Sequence, residues 1–375
     1  MAEKFSLKDE LFNAQKVHQI ASEIKKVSPS FEQKKFEEEV LIKFDELELK
    51  ERIVHIRQML ARYLPVNYID ATTILLQALP LELNPHKTDN DFGEFIYAPY
   101  SDFVMTFGCT REHIDFSLKA LREMTKRFSV EFAIRDFINT FPEESFEMLE
   151  ACALSKNYHE RRLASEGARP KLPWAKKLAI HHERPIKLLD KLYMDKTRYV
   201  TRSVANHLND IAKIDASLVI KTLKRWKHTK EQNDKEMDFI LSHSLRTLVK
   251  DGNNEALALL GYASNPKIEV KNFVLNTLKV CVGESLDFSF EIKAKAEEAL
   301  MVDYVIHFQT KKGKLSPKVY KLKKLSMKKE TYNTFSKKHH FKENMTTRKL
   351  YKGEHKLLLQ INGYVYKELI FHLDV

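Results

Sequence analysis

Residues 158–175 read YHERRLASEGARPKLPWA, and residues 199–205 read YVTRSVA. Both open on Tyr-x-x-Arg-x-x-Ala, 41 residues apart, and a weaker echo, HSLRTLV, starts at His243, 44 residues further on. Tyr158, Arg161, Arg162 and Ala164 sit at helical spacing. After them come Ser165, Glu166 and Gly167, then Pro170 and Pro173. Proline lacks a backbone N–H and clashes with the preceding turn, so one helix cannot run through the whole stretch. Trp174, one of two tryptophans in the chain, follows immediately. The first half therefore reads as an ordinary repeat helix. From Ser165 onward it is a bent insert carrying a carboxylate, an arginine (Arg169) and an indole.

A repeat near 40 residues with two helices per unit is the size of HEAT or armadillo-type arrays. One helix pair cannot bury its apolar face alone, so it stacks on its neighbours. The segments outside the repeat agree. Leu7, Leu11, Phe12, Val17, Ile20, Ala21 and Ile24 recur near period 3.6 over 6–25, and Pro29 follows. Phe36, Val40, Leu41 and Phe44 mark a second helix. Residues 48–63 make a third, with Ile53, Ile56, Leu60 and Tyr63 inward; YIDATTILLQAL makes a fourth. Asn84, Pro85, Asp89, Asn90, Asp91, Gly93 and Pro99 mark 84–102 as a loop with interspersed aromatics, read as a packed connector. Helices are expected again at about 236–250, 254–263 and 266–281.

In 201–213, TRSVANHLNDIAK, the core stripe is Val204, Leu208 and Ile211. Arg202, Asn206, Asn209 and Lys213 follow at steps of 4, 3 and 4 and share another face, with Asp210 beside it. Amides, cations and a carboxylate together suit phosphate and sugar oxygens. An ordinary solvated face is the alternative.

From about Ser285 the period changes to two. LDFSFEI, VDYVIHF, SPKVYKLKKL, HKLLLQI and YVYKELIFHL alternate, with turn signals at Lys312-Gly313, Lys352-Gly353 and Asn362-Gly363. Seven or so short strands in about 90 residues suggest an immunoglobulin-type sandwich. The expected fold is thus mainly α: a HEAT-like helical repeat solenoid over 1–283, then a small all-β immunoglobulin-like sandwich over 284–375.

Charge follows the same division. The net formal charge is +11, and residues 301–375 hold 17 Lys and Arg against 6 Asp and Glu, leaving 46 of each before them. A basic module joined to a charge-balanced one suggests contact with a polyanion. Three cysteines, Cys109, Cys152 and Cys281, lie far apart with no CxxC, which argues against a disulfide framework or zinc site. No apolar h-region opens the chain and no run approaches ~18 apolar residues. A soluble cytoplasmic protein is the expectation.

RRLASEGARPKLPWA and RSVANHLNDIAK resemble two recognisable segments of the AlkC branch of the bacterial DNA alkylation repair glycosylases. ELELKERIVHIRQMLARYLP resembles its N-terminal helices. SPKVYKLK and TTRKLYKGEHKLLLQINGYV are similar to the immunoglobulin-like domain of its longer forms. The resemblance covers essentially the whole chain, and SEGxRPxLPW is its most specific part. It implies a monofunctional glycosylase that hydrolyses the N-glycosidic bond of cationic N3-alkylated bases, such as 3-methyladenine and 3-methylcytosine, without burying a flipped base. It implies no metal or redox cofactor. The partner implied is duplex DNA containing alkylated bases, bound by a monomer with no membrane involved.

Carried over by motif, Glu166 and Trp174 match the Glu and Trp of that segment. Asp210 is a second carboxylate aimed at the same cleft, and Glu131, in SVEFAIRDF, a third candidate. Arg162 would hold a phosphate or the Glu, and Arg169, Arg202, Asn206, Asn209, Lys213 and Arg348 would contact DNA. In the basic module Lys311, Lys312, Lys314, Lys337, Lys338 and Lys342 are further candidates. Competing with this are a non-enzymatic HEAT array that binds DNA or protein, and a general RNA-binding repeat protein. The second lacks the repeated base-reading triplet of a one-base-per-repeat code.

Overall fold

A computed structural model of the chain describes residues 6–84, 86–87, 89, 92–343, 345 and 348–375. Two compact units divide it: Met1–Leu218 with Arg225–Ser244, and Val219–Lys224 with Leu245–Val375.

The first unit is helical. It opens with α1 (Leu7–Leu11), α2 (Ala14–Val27), α3 (Gln33–Leu41), α4 (Leu49–Tyr63) and α5 (Tyr68–Gln77). Asn13 interrupts the expected 6–25 helix and caps α2, its side chain accepting from the Lys16 amide at 3.0 Å. Glu48 and Glu51 form a capping box on α4, and Asn67 caps α5. Helices α6 (Ala98–Gly108), α7 (Ile114–Met124), α8 (Ile134–Thr140) and α9 (Pro142–Ala153) follow. The expected 84–102 loop therefore ends too late. Pro99 lies in the first turn of α6, where its missing N–H has no helical partner to lose. Of the turn residues read there, Pro85, Asn90 and Asp91 lie outside the described residues.

Helices α10 (Tyr158–Glu166), α11 (Ile186–Leu192) and α12 (Arg198–Ile211) carry the repeat, followed in the chain by α13 (Ala216–Thr229), whose Val219–Lys224 fall in the second unit, and α14 (Asp234–Ser244). The repeated Tyr and Ala are core positions: Tyr158, Ala164, Tyr199 and Ala205 are all buried. Helix α12 packs against both α10 and α14. The third echo at His243 starts no repeat helix; it straddles the end of α14.

The second unit holds α15 (Arg246–Lys250), α16 (Asn254–Leu259) and eight strands: β1 (Ile268–Leu275), β2 (Lys279–Cys281), β3 (Ser285–Ala294), β4 (Glu298–Gln309), β5 (Leu315–Met327), β6 (Tyr332–His340), β7 (Gly353–Ile361) and β8 (Tyr364–Asp374). One sheet runs β1-β3-β6, the other β2-β8-β7-β4-β5. The core lies between them. Leu286, Phe288, Phe290 and Ile292 from β3 meet Leu300, Val302, Tyr304, Ile306 and Phe308 from β4 and Leu357, Leu359 and Ile361 from β7. At the Asn362-Gly363 turn both residues have positive φ, +47° and +78°, as a two-residue type I′ hairpin requires.

The helix expected over 266–281 is strands β1 and β2, so the sandwich begins at Ile268 rather than after 283. The reason is a bulge. Lys271 pairs Glu291 and Val274 pairs Ser289, so three residues of β1 span two of β3, with Asn272 at φ +51°. The extra residue shifts the alternation, and Val270, Phe273 and Val274 then mimic helical spacing.

Candidate active site

The bent insert is shaped by its neighbours. Asn157 caps α10, accepting from the His159 amide at 2.9 Å. Helix α10 stops at Glu166, and Gly167 sits so close to α8 that a Cβ there would lie 2.8 Å from the Ile134 Cγ2. Arg135, buried on α8, donates to the carbonyls of Gly167 (3.1 Å), Arg169 (2.9 Å) and Lys176. One guanidinium thus satisfies three backbone acceptors of a segment with no regular structure. Asn139 takes over at Lys177 and Ala179.

Leu172 to Ala175 form a tight turn closed by the Ala175 amide on the Leu172 carbonyl at 3.3 Å. Pro173 and Trp174 are its central residues, and Trp174 has φ +63°. Proline followed by a positive φ is the pattern of a type II turn, whose second position normally belongs to glycine. A tryptophan there stores about 1–3 kcal/mol of strain. Lys50 on α4 ties the turn down, its Nζ donating to the Trp174 carbonyl at 2.7 Å. The indole itself is 69% exposed.

Glu166 is 4% exposed. Its Oε1 accepts from Arg169 and its Oε2 from the Ser203 hydroxyl, and Arg162 stands 3.8 Å from Oε1. Arg169 also pairs with Asp210 at 3.0 Å. Arg162 donates to Glu131 Oε2 at 2.7 Å and to the Ser129 hydroxyl at 2.9 Å, while its guanidinium lies 4.6 Å from the Tyr199 ring centre. The result is an alternating chain: Glu131, Arg162, Glu166, Arg169, Asp210. Burial alone would raise the Glu166 carboxyl, but the Arg162 and Arg169 charges and the Ser203 and Arg169 hydrogen bonds outweigh it and hold the group below the ordinary carboxylate range. Burial opposes the charge on Arg162 and Arg169 too, and the facing carboxylates outweigh it. Among the described residues nothing donates to Glu131 Oε1.

A cavity of about 420 Å³ opens over this chain. Glu131, Glu166, Arg162, Arg169, Trp174, Arg202 and Asn206 line it together, along with Phe92, Tyr199 and Ser203. Seven of the residues singled out in the sequence thus converge. Four do not. Asp210 is 2% exposed and meets Arg169 from behind, so it is not aimed into the cleft. Asn209, expected on the polar face, is equally buried. Lys213 stands near Asp210, at 3.5 Å, outside the lining. Arg348 belongs to the second unit, where it stacks on Phe308 at 4.2 Å.

Of the expected DNA contacts, Arg162 and Arg169 are buried and paired with carboxylates, Arg162 standing beside the Glu as one of its two expected roles had it. Arg202 pairs with Asp89, and Asn206 meets His243 at 2.9 Å. Sequence reasoning missed Ser203, Arg135, Lys50 and Phe92. Phe92, 52% exposed, meets Tyr199 edge-on at 5.2 Å; it sat in a stretch read as packed connector. Among the described residues no three His, Cys, Asp or Glu side chains are grouped as a metal site requires.

A family model described as "Uncharacterised protein YhaZ, C-terminal Ig-like domain" matches residues 269–375, which agrees with a sandwich starting at Ile268. YhaZ of Bacillus subtilis (strain 168) is 33% identical over 368 residues, 97% of this chain and 98% of that protein. The alkylpurine DNA glycosylase AlkC of Pseudomonas fluorescens, solved bound to DNA containing an abasic site analog, superposes with a TM-score of 0.87 at 30% identity, covering 99% of this chain and 100% of that one. Helical repeats followed by an immunoglobulin-like module, in one unbroken match to both proteins, mean that the chain belongs to the family of AlkC and YhaZ.

Proposed function

We propose that the protein is a monofunctional DNA glycosylase that excises cationic N3-alkylated bases, 3-methyladenine and 3-methylcytosine, from duplex DNA. The observation that carries this is one cavity lined by two carboxylates of different character and an exposed indole. N3 alkylation gives the base a positive charge, so it leaves neutral and needs no proton. The C1′–N bond breaks with its electron pair passing to the base, and the sugar gains oxocarbenium character. Water then bonds to C1′ and gives up a proton.

Glu166, held ionised by its partners, has the character of the group that stabilises the cationic sugar; such groups contribute ~2.7–4 kcal/mol elsewhere. Glu131, with Oε1 open, is suited to orient the water and take its proton. Trp174 adds an indole face worth on the order of 1–2 kcal/mol to a cation. Asp210 acts through Arg169. No step calls for a metal or cofactor. Arg202 and Asn206 at the cavity, and the lysine-rich second unit, are the groups proposed to meet the DNA backbone; each phosphate contact adds about 0.9 to the log–log salt slope. The protein is proposed to work in the cytoplasm as a monomer.

The test is incubation with methylated duplex oligonucleotides bearing defined lesions, with chromatography of released bases. Release of 3-methyladenine and 3-methylcytosine is expected. No release by the intact protein sinks the proposal in favour of a binding scaffold.

A further inference from the structure

Helix α12 grips the end of α10 with one face. Ser203, His207 and Asp210 fall at i, i+4 and i+7, and all three are buried. Each meets a member of the 165–169 segment. Ser203 donates to Glu166 Oε2 and lies 2.9 Å from the Ser165 hydroxyl. His207 Nδ1 lies 2.9 Å from the Ser165 carbonyl. Asp210 accepts from Arg169.

We propose that this face is the positioning machinery of Glu166, with Ser203 the residue that fixes its carboxylate; the inference rests on the glycosylase reading and deepens it. A hydroxyl has one proton. Glu166 Oε2 and Ser165 Oγ both lie within reach of that proton; committing it to Glu166 leaves Ser203 Oγ to accept from the Ser165 hydroxyl, 2.9 Å away, once that O–H turns toward it. Ser165 must itself be held still. Its carbonyl is among the last of α10 and the Arg169 amide turns to Glu166 instead, so no helical N–H reaches it. His207 fills that place. A carbonyl only accepts, so His207 carries its proton on Nδ1. Its Nε2 is buried with no partner among the described residues. Burial, reinforced by the Arg169 charge, pushes the imidazole down to about 3 and keeps it neutral. A His serving merely as filler would carry that orphaned nitrogen for nothing; as a carbonyl cap it has a reason to be there.

Two readouts test this in the intact protein. One is the Glu166 carboxyl titration by carbon-13 NMR, which needs no activity. The other is the pH profile of single-turnover release of 3-methyladenine. The remaining charged and titratable groups around Glu166 stay in place in every variant: Arg162 on α10, Arg169 on the insert, Glu131 and Arg135 at α8, and Tyr199, His207 and Asp210 on α12. Ser203→Ala removes a hydrogen bond to the charged form, so the Glu166 titration should rise by about one pH unit. The acid limb of the release profile should move up with it, and release at neutral pH should slow about tenfold. Ser203→Cys keeps the volume with a weaker donor and should fall between. Ser203→Thr keeps the hydroxyl and should restore both readouts. Equal titrations and profiles for wild type, Ala and Cys overturn the proposal. If wild type releases no base, the glycosylase reading falls, while the NMR titration still decides whether Ser203 holds Glu166.

Discussion

Replacing Glu166 with Gln separates charge from hydrogen bonding at the centre of the site. The amide oxygen can keep the Arg169 bond, and the amide NH2 can donate to Ser203 Oγ while the Ser203 hydroxyl turns to Ser165, 2.9 Å away. Neither arginine is stranded: Arg169 keeps Asp210 at 3.0 Å and Arg162 keeps Glu131 at 2.7 Å. The loss of stability should therefore be about 1–2 kcal/mol, below the 3–5 kcal/mol typical when a buried charge loses its only partner. On the proposed mechanism the loss in single-turnover base release should be larger, about 10²–10³-fold, because the charge proposed to face the sugar is gone.

The two effects also differ in pH dependence. The folded carboxyl titrates below its unfolded value, so its stabilisation is full above the ordinary glutamate range and is lost as pH falls through the depressed folded value. The gap between the melting curves of wild type and Glu166→Gln should accordingly close on acidification. Calorimetry from neutral to acid pH and chromatography of released base measure both. A folded Glu166→Gln protein with wild-type release rates would remove Glu166 from the reacting sugar. A stability loss well beyond 3–5 kcal/mol would show that the ion chain cannot redistribute.

Trp174→Gly should leave stability unchanged or raise it by about 1 kcal/mol, since it relieves a positive φ and deletes a largely exposed ring, while base release falls about tenfold; thermal melts and the release assay read the two directions. Asn362→Ala should destabilise the second unit by about 2–4 kcal/mol in urea unfolding, because the side chain both suits positive φ and bonds the Met301 amide and the Ala263 and Ala299 carbonyls. A protein ending at residue 283 should aggregate in light scattering, since it keeps β1 and β2 but exposes Phe273 and Val280, both buried in the full chain.

Local periodicity determined much of this protein. Period 3.6 marks the helices and period 2 marks β3, β4, β5, β7 and β8, most cleanly β3, where burial alternates residue by residue because one face is covered, whereas β4 and β7 are buried along most of their length. Asn362-Gly363 specified its hairpin for the same local reason. Two prolines after Glu166 were enough to expect a bend; that Glu166 and Trp174 belong to one site was implied by the resemblance, and both line one cavity. Tertiary structure decided the rest. A bulge disguised β1, since register belongs to the pair and not to the strand. On α12 the core stripe leaves a polar surface. Spacing groups Arg202, Asn206, Asn209 and Lys213 with Asp210 beside them, but it cannot say how far round toward Ser203 and His207 another helix covers the surface. The end of α10 and the insert after it cover Ser203, His207 and Asp210, which buries Asp210 against Arg169 and hands Glu166 to Ser203. The distinction between a carboxylate that faces solvent and one that faces an arginine is made across 31 to 41 residues of sequence, by contacts no local pattern encodes.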